Sequence, residues 1–189
     1  MVVKKPKSAV SNVDTAALQA PNLFIIGAPR SGTTGLYAAL KQHPDIYTSV
    51  LKEPHFYARD LPVQPHTITE DAHYRCLFDA AEDQAYRAEG SVWYFFSEQA
   101  PQAIAQQHPD AKIILLLRHP LEFLQSLYHL YRRSGNEAEA DINIALVREH
   151  LPDHEGVYFP FGLQYLERLH YSESLARWQQ YFPPQQLKM

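Results

Sequence analysis

Residues 23–34, with the sequence Leu-Phe-Ile-Ile-Gly-Ala-Pro-Arg-Ser-Gly-Thr-Thr, are the part of the chain best suited to chemistry. An apolar strand enters a glycine-containing loop that opens onto a helix. Such a loop offers backbone N–H groups, and the positive end of the helix, to a phosphate. The hydroxyls of Ser31, Thr33 and Thr34 can add donors, and Arg30 brings a positive charge into the loop. We therefore predict an anion site here; a tight turn without a ligand is the alternative.

The glycine spacing of this loop matches the nucleotide P-loop, G-x-x-x-x-G-K-[ST], as far as the second glycine. Gly27 and Gly32 fit the pattern, but Thr33 stands where a P-loop NTPase needs its lysine. No clear acidic strand end is present to hold Mg²⁺. These differences argue against ordinary ATP hydrolysis and favour another phosphate-like group held by the same backbone geometry.

Two further polar segments are expected near this loop. Residues 52–57, Lys-Glu-Pro-His-Phe-Tyr, follow the second expected strand. Arg118 ends the most apolar strand, and Ser126 lies on the helix that follows it. Ligands of open parallel sheets bind beyond the carboxyl ends of the strands, where these segments fall. The alternatives are a solvated Lys52–Glu53 loop pair and an exposed helix serine at position 126.

Together the three segments resemble the sulfotransferases that use 3′-phosphoadenosine-5′-phosphosulfate (PAPS). Residues 27–34 resemble the loop that holds the 5′-phosphosulfate, and residues 116–126 resemble the segment that grips the 3′-phosphate. Residues 52–57 are similar to the heparan-sulfate branch of that family, which carries Lys-Glu-Pro followed by His and aromatic residues. The resemblance covers roughly residues 21–189.

The resemblance implies a donor site. Backbone amides of residues 30–34 would hold the 5′-phosphate, with support from Ser31, Gly32, Thr33 and Thr34. Arg30 would stabilise charge on the leaving group, although family members often carry lysine there. An arginine stays charged and cannot easily donate a proton, so we assign it an electrostatic role. Arg118 and Ser126 would bind the 3′-phosphate of PAPS, which is released as 3′,5′-ADP.

The resemblance also implies which residues within the segment 52–57 are catalytic. Glu53 would be the general base, and His55 would orient Glu53 or the acceptor. His55 is an alternative base, because an unperturbed histidine titrates near ~6.5 and the small-molecule branch uses a histidine. Lys52 would add a cation near the sulfuryl group or merely pair with Glu53.

Other polar residues carry weaker signals. Residues 89–94 resemble a family segment lining the acceptor site, but Val92 replaces the usual proline, which leaves a role for Ser91 in doubt. Trp93 and Tyr94 are expected in the core. Four histidines lack metal-ligand spacing, so we expect them at the surface and predict no metal site: His43, His108, His150 and His154.

The elements that must position these groups alternate between strand and helix. This order predicts an α/β fold, a P-loop-NTPase-like parallel sheet flanked by helices. Strands are expected at 23–26, 46–50, 86–91 and 112–117, and helices at 33–42, 71–81, 100–107, 120–133, 142–149 and from 171. The chain ends at 187–189, where another strand should begin, so we expect a fold truncated at its C-terminus. Residues 1–20 are predicted to be a flexible tail or linker, and residues 21–189 the sulfotransferase domain.

Composition limits the classes of protein. The chain has 189 residues, 46% of them hydrophobic, which suits one domain with a real core. Its net charge of −4 argues against a general nucleic-acid binder. The single cysteine, Cys76, forbids an internal disulfide. No membrane-length apolar run or signal peptide is evident, so we predict a cytoplasmic protein.

The expected reaction is sulfuryl transfer from PAPS to an acceptor hydroxyl. The acceptor stays open between a glycan, a lipid and an acyl or polyketide chain tethered to a carrier protein, and the chain can be one domain of a larger polypeptide. Two other classes remain: a P-loop nucleotide kinase or NTPase, and a non-catalytic nucleotide-binding or docking domain.

Overall fold

A computed structural model describes residues 20–149 and 156–189. Five parallel strands form one sheet in the order β2-β3-β1-β4-β5. They span β1 Leu23–Gly27, β2 Ile46–Thr48, β3 Tyr86–Gly90, β4 Lys112–Leu115 and β5 Leu187–Lys188. The predicted parallel α/β sheet is confirmed, and β5 pairs with β4 where the sequence predicted a further strand to begin.

Helices connect the strands. They are α1 Thr33–Leu40, α2 Asp71–Cys76, α3 Ala100–Gln107, α4 Pro120–Ser134, α5 Ile142–Arg148 and α6 Tyr171–Gln179. Three short 3₁₀ helices complete the described part, at Val92–Phe96, Pro160–Leu163 and Glu167–Leu169. The predicted N-terminal tail lies outside the described residues except for residue 20.

β1 is the central strand, and all of its residues are buried. The chain first builds β2 and β3 on one side of β1 and then β4 and β5 on the other. The carboxyl ends of β1, β3 and β4 therefore lie side by side at one edge, where a ligand crevice is expected. The register between β1 and β4 shifts between Ile25 and Gly27, where the loop of residues 27–34 leaves the sheet.

Several predicted boundaries were too long. The strand β4 ends at Leu115 rather than at residue 117, and Leu117, past its end, is 41% exposed. The helix α1 ends at Leu40 rather than at residue 42, and Tyr37 is one of its buried residues. The Tyr37 hydroxyl donates to the Ser49 carbonyl oxygen at 2.9 Å, which ties α1 to the segment after β2. α2 ends at Cys76 because the next amides, including that of Phe78, bond three residues back.

Aromatic side chains dominate the core, as the sequence predicted for Trp93 and Tyr94, and Trp178 and Phe182 are buried with them. The expected surface position of His108 was wrong. Its ring lies 5.4 Å from that of Phe24, its Nε2 is 2.6 Å from the Tyr57 hydroxyl, and burial lowers its pKa to about 4. His43 is exposed as predicted. His150 and His154 lie outside the described residues.

Candidate active site

The loop between β1 and α1, residues 27–34, forms a cradle at the sheet edge. Gly27 has φ 144°, and a Cβ there would lie 2.5 Å from the Val92 carbonyl oxygen, so only glycine fits. Arg30 and Gly32 also have positive φ, at 61° and 87°. The Leu36 N–H donates to the Gly32 carbonyl oxygen, so the N–H groups that precede it project from the start of α1. This is the geometry of a phosphate site at a helix N-terminus.

Two of the cradle hydroxyls differ in their surroundings. Thr33 is buried, whereas Thr34 is exposed. The Ser31 hydroxyl donates to the Pro29 carbonyl oxygen at 3.3 Å, and its N–H donates to the Ala28 carbonyl oxygen at 3.3 Å. Both Ser31 bonds are long, so a ligand with stronger acceptors can compete for these donors.

The two arginines and the serine predicted to bind phosphates lie together. Arg30 Nε donates to the Ser126 hydroxyl at 3.0 Å, and Arg118 Nη1 lies 3.4 Å from the Arg30 carbonyl oxygen. Arg118 also forms an exposed ion pair with Glu122 at 3.0 Å, a contact that contributes little stability. Strand β4, helix α4 and the cradle thus bring two guanidinium groups and a hydroxyl to one edge of the sheet.

Residues 52–57, the base segment, follow β2 and have an uncommon backbone. Glu53 and His55 have φ of 64° and 50°, a backbone conformation that residues other than glycine rarely adopt. The Glu53 N–H donates to the Gly90 carbonyl oxygen at 2.8 Å, and the His55 N–H donates to the Ser91 hydroxyl at 3.0 Å. The end of β3 therefore supports the base segment.

Glu53 lies between two nitrogen groups. Its Oε1 is 2.5 Å from Lys52 Nζ, and its Oε2 is 3.5 Å from His55 Nε2. Burial opposes ionisation, but hydrogen bonding with His55 and the Lys52 charge outweigh it and lower the pKa of Glu53 to about 2. The carboxyl is therefore ionised throughout the neutral range.

His55 is enclosed behind Glu53, with its side chain 5% exposed. Its Nδ1 is buried without a hydrogen-bond partner among the described residues. In this arrangement the ring lies against the Glu53 carboxylate and can orient it.

A pocket of about 380 Å³ joins the cradle to the base segment. Arg30, Gly32, Thr33, Thr34 and Glu53 all line it. Its other walls come from Pro29, Gln64, Val92, Trp93, Leu127, Leu130, Tyr131 and Tyr158. The remaining predicted site residues stand beside this lining: Ser31, Lys52, His55, Arg118 and Ser126. Among the described residues that line the pocket, Arg30 and Glu53 carry the charges, and most of the other walls are apolar or aromatic.

One buried acid at this edge was not predicted as a site residue. Glu89 is fully buried at the end of β3, and its carboxyl accepts from the hydroxyls of Ser91, Tyr94 and Tyr74 at 2.6, 2.8 and 3.2 Å. Burial raises its pKa to about 7, although these hydrogen bonds oppose the rise. Ser91 is buried too, so it does not face an acceptor. The expectation that no clear acidic strand end is present was therefore wrong, because Glu89 lies near the end of the interior strand β3.

No cluster of three or more His, Cys, Asp or Glu side chains suited to a metal occurs within residues 20–149 and 156–189. Over the same ranges, every helix is too short or too polar to cross a membrane.

The chain belongs to the sulfotransferase family, whose model matches residues 21–187. A crystal structure of a sulfotransferase from Alicyclobacillus acidocaldarius is similar, with a TM-score of 0.81 and 31% identity. That match covers 89% of this chain and 72% of the other. The predicted family and its P-loop-like fold are thus confirmed.

Curated relatives include enzymes of the heparan-sulfate type, as predicted. Heparan sulfate glucosamine 3-O-sulfotransferase 6 of Homo sapiens is 30% identical over 164 residues, which cover 75% of this chain and 44% of the relative. Carbohydrate sulfotransferase 15 of Mus musculus is 29% identical over 166 residues, covering 65% of this chain and 29% of the relative. The chain thus spans less than half the length of these relatives.

Proposed function

We propose that this chain transfers a sulfuryl group from PAPS to an acceptor hydroxyl. The observation that carries the proposal is the shared pocket, which is lined by Arg30, by the start of α1 and by Glu53. The helix N-terminus suits the 5′-phosphosulfate, and Arg118 with Ser126 suits the 3′-phosphate. A P-loop NTPase is the weaker candidate, since Thr33 occupies the lysine position.

Sulfuryl transfer needs in-line placement, stabilisation of the leaving group and removal of the acceptor proton. The acceptor oxygen forms a bond to sulfur while the bond from sulfur to the phosphate oxygen breaks. Glu53 takes the hydroxyl proton, and Arg30 stabilises the negative charge that develops on the departing phosphate. His55 holds the carboxylate in place.

The Lys52–Glu53 pair bears on the timing of proton transfer. A carboxylate with a pKa of about 2 is a weak base. If Lys52 turns to the sulfuryl oxygens, Glu53 loses the charge that lowers its pKa. Lys52 then serves the transferred group, and Glu53 becomes a better base at the same moment.

The described wall of the acceptor side favours a neutral acceptor. Trp93, Leu127, Leu130, Tyr131 and Tyr158 can cover an acyl chain or the apolar face of a sugar ring. A highly sulfated glycan needs several cationic side chains to bind its sulfate groups. Among the described residues that line this pocket, Arg30 is the cationic one, and it is assigned to the donor. We therefore propose a neutral glycan, a lipid or a carrier-tethered chain as the acceptor, and a cytoplasmic location stays a prediction.

Thermal shift with 3′,5′-ADP and with ATP–Mg²⁺ tests the donor assignment, and turnover of radiolabelled PAPS tests the reaction. We expect stabilisation by 3′,5′-ADP well above that by ATP–Mg²⁺, because Arg118 and Ser126 need a 3′-phosphate. Preference for ATP–Mg²⁺ would instead support a kinase or NTPase. Binding of 3′,5′-ADP without any PAPS turnover, over a panel of alcohols, neutral oligosaccharides and heparosan, would indicate a binding domain.

A further inference from the structure

We propose that Glu89 is a positioning residue that holds the base segment in its active conformation through the hydroxyls of Ser91 and Tyr94. The proposal rests on the assignment of Glu53 as the base. Glu89 lies beneath the base segment, fully buried, and takes no part in the chemistry itself.

Two hydrogen-bond chains run from the base segment to Glu89. The His55 N–H donates to the Ser91 hydroxyl at 3.0 Å, which donates to Glu89 Oε1 at 2.6 Å. The Tyr57 N–H donates to the Tyr94 hydroxyl at 3.1 Å, which donates to Glu89 Oε2 at 2.8 Å. Each hydroxyl gives its single proton to the carboxyl, so its lone pairs are directed at the backbone N–H. Glu89 thus orients both acceptors.

The base segment needs such support because of its backbone. Glu53 and His55 both have a positive φ without being glycine, and such residues persist only where the surrounding structure holds them. The Glu53, His55 and Tyr57 amides bond to Gly90, Ser91 and Tyr94, respectively. All three acceptors lie within the five residues that follow Glu89.

A carboxyl suits this position better than an amide. Both oxygens of the ionised carboxyl, the form present above pH 7, accept, so each hydroxyl can donate to it and still receive a bond from the base segment. In Glu89→Gln one oxygen becomes an NH₂ group, which must donate. The hydroxyl beside it then loses its acceptor and is no longer directed at the backbone N–H.

The chain offers a matched control. The Tyr74 hydroxyl also donates to Glu89 Oε2, at 3.2 Å, and its ring stacks on Phe56 at 4.1 Å. In the part of the chain that the structure describes, no backbone N–H of the base segment bonds to that hydroxyl. Tyr74→Phe therefore removes a donor to Glu89 but leaves both chains intact, whereas Tyr94→Phe breaks one of them.

The experiment compares Glu89→Gln, Ser91→Ala and Tyr94→Phe with Tyr74→Phe. We expect each of the first three to lower kcat on the order of tenfold to a hundredfold, because the base is misplaced. Tyr74→Phe should keep kcat within about twofold. KM for PAPS and the affinity for 3′,5′-ADP should stay unchanged in all four, since Val92 and Phe95, which none of the variants changes, approach the cradle at Gly27. Glu89→Gln combined with Ser91→Ala should lose less than the product of the two single losses, because the two changes share the Ser91 chain.

Hydrogen–deuterium exchange supplies a readout independent of activity. Glu89→Gln should speed exchange in a peptide covering residues 53–57 and leave residues 27–34 unchanged. The proposal is overturned if exchange at residues 53–57 stays as in the wild type, or if Tyr74→Phe has the same effect as Tyr94→Phe. If Glu89→Gln does not fold, Ser91→Ala and Tyr94→Phe decide by the same measurements. Failure of the proposed function is distinct, because it appears in the wild type as absent PAPS turnover.

Discussion

Glu89 should make the stability of the protein depend on pH. Burial raises the pKa of its carboxyl from the ordinary 4.5 to about 7. At 1.36 kcal/mol per pKa unit, this rise corresponds to ~3 kcal/mol. The folded state binds this proton more tightly than the unfolded state does. The contribution of Glu89 to the free energy of unfolding is therefore largest below pH 4.5 and falls as the pH rises toward 7. Above pH 7 the loss of ~3 kcal/mol from this group is complete.

Glu89→Gln isolates this contribution, because an amide does not titrate. We expect the difference in free energy of unfolding between wild type and Glu89→Gln to change by ~3 kcal/mol between pH 4 and pH 8, in favour of the variant at pH 8. Urea denaturation followed by circular dichroism measures it, and Glu82→Gln, at an exposed position, is the matched control. A difference that does not change with pH would refute the reasoning, since Glu89 would then titrate alike in both states.

Three further predictions concern the proposed chemistry. Arg30→Ala should remove ~3–4 kcal/mol of transition-state stabilisation and so lower kcat, while the fold stays intact. Near-normal turnover would contradict the role of Arg30. Arg118→Ala should raise KM for PAPS far more than it lowers kcat, because a 3′-phosphate contact is alike in ground and transition states. Unchanged affinity for 3′,5′-ADP in that variant would contradict it. Glu53→Gln should lose roughly 10²–10⁴-fold in kcat, and His55→Ala should lose less. The reverse ranking would make His55 the base.

The order of strands and helices was predictable from sequence because it depends on local pattern. The apolar run before Gly27 and the glycine spacing identified the cradle. The stripe along α4, which includes Leu127 and Tyr131, identified its buried face. Ends were less predictable, since Leu117 is as apolar as Leu115 yet lies past the last strand residue.

Interactions across the sheet were not predictable in the same way. A glutamate at position 89 gives no sign that three hydroxyls converge on it, because Tyr74 lies on a separate helix. His108 likewise meets Tyr57 and Phe24, which are distant in sequence. The positive φ of Glu53 and His55 has no signal in the residue types, because it is imposed by bonds from the end of β3.

Residues 89–96 connect the two halves of the proposed site. Val92 and Phe95 approach Gly27 so closely that the cradle cannot accommodate a Cβ there. From the same run, the hydroxyls of Ser91 and Tyr94 accept hydrogen bonds from backbone N–H groups of the base segment. A shift of this run would therefore displace the cradle and the base segment together. In-line transfer depends on the separation between the donor site and the base. Because one short run contacts both, it sets that separation, and neither segment sets it alone.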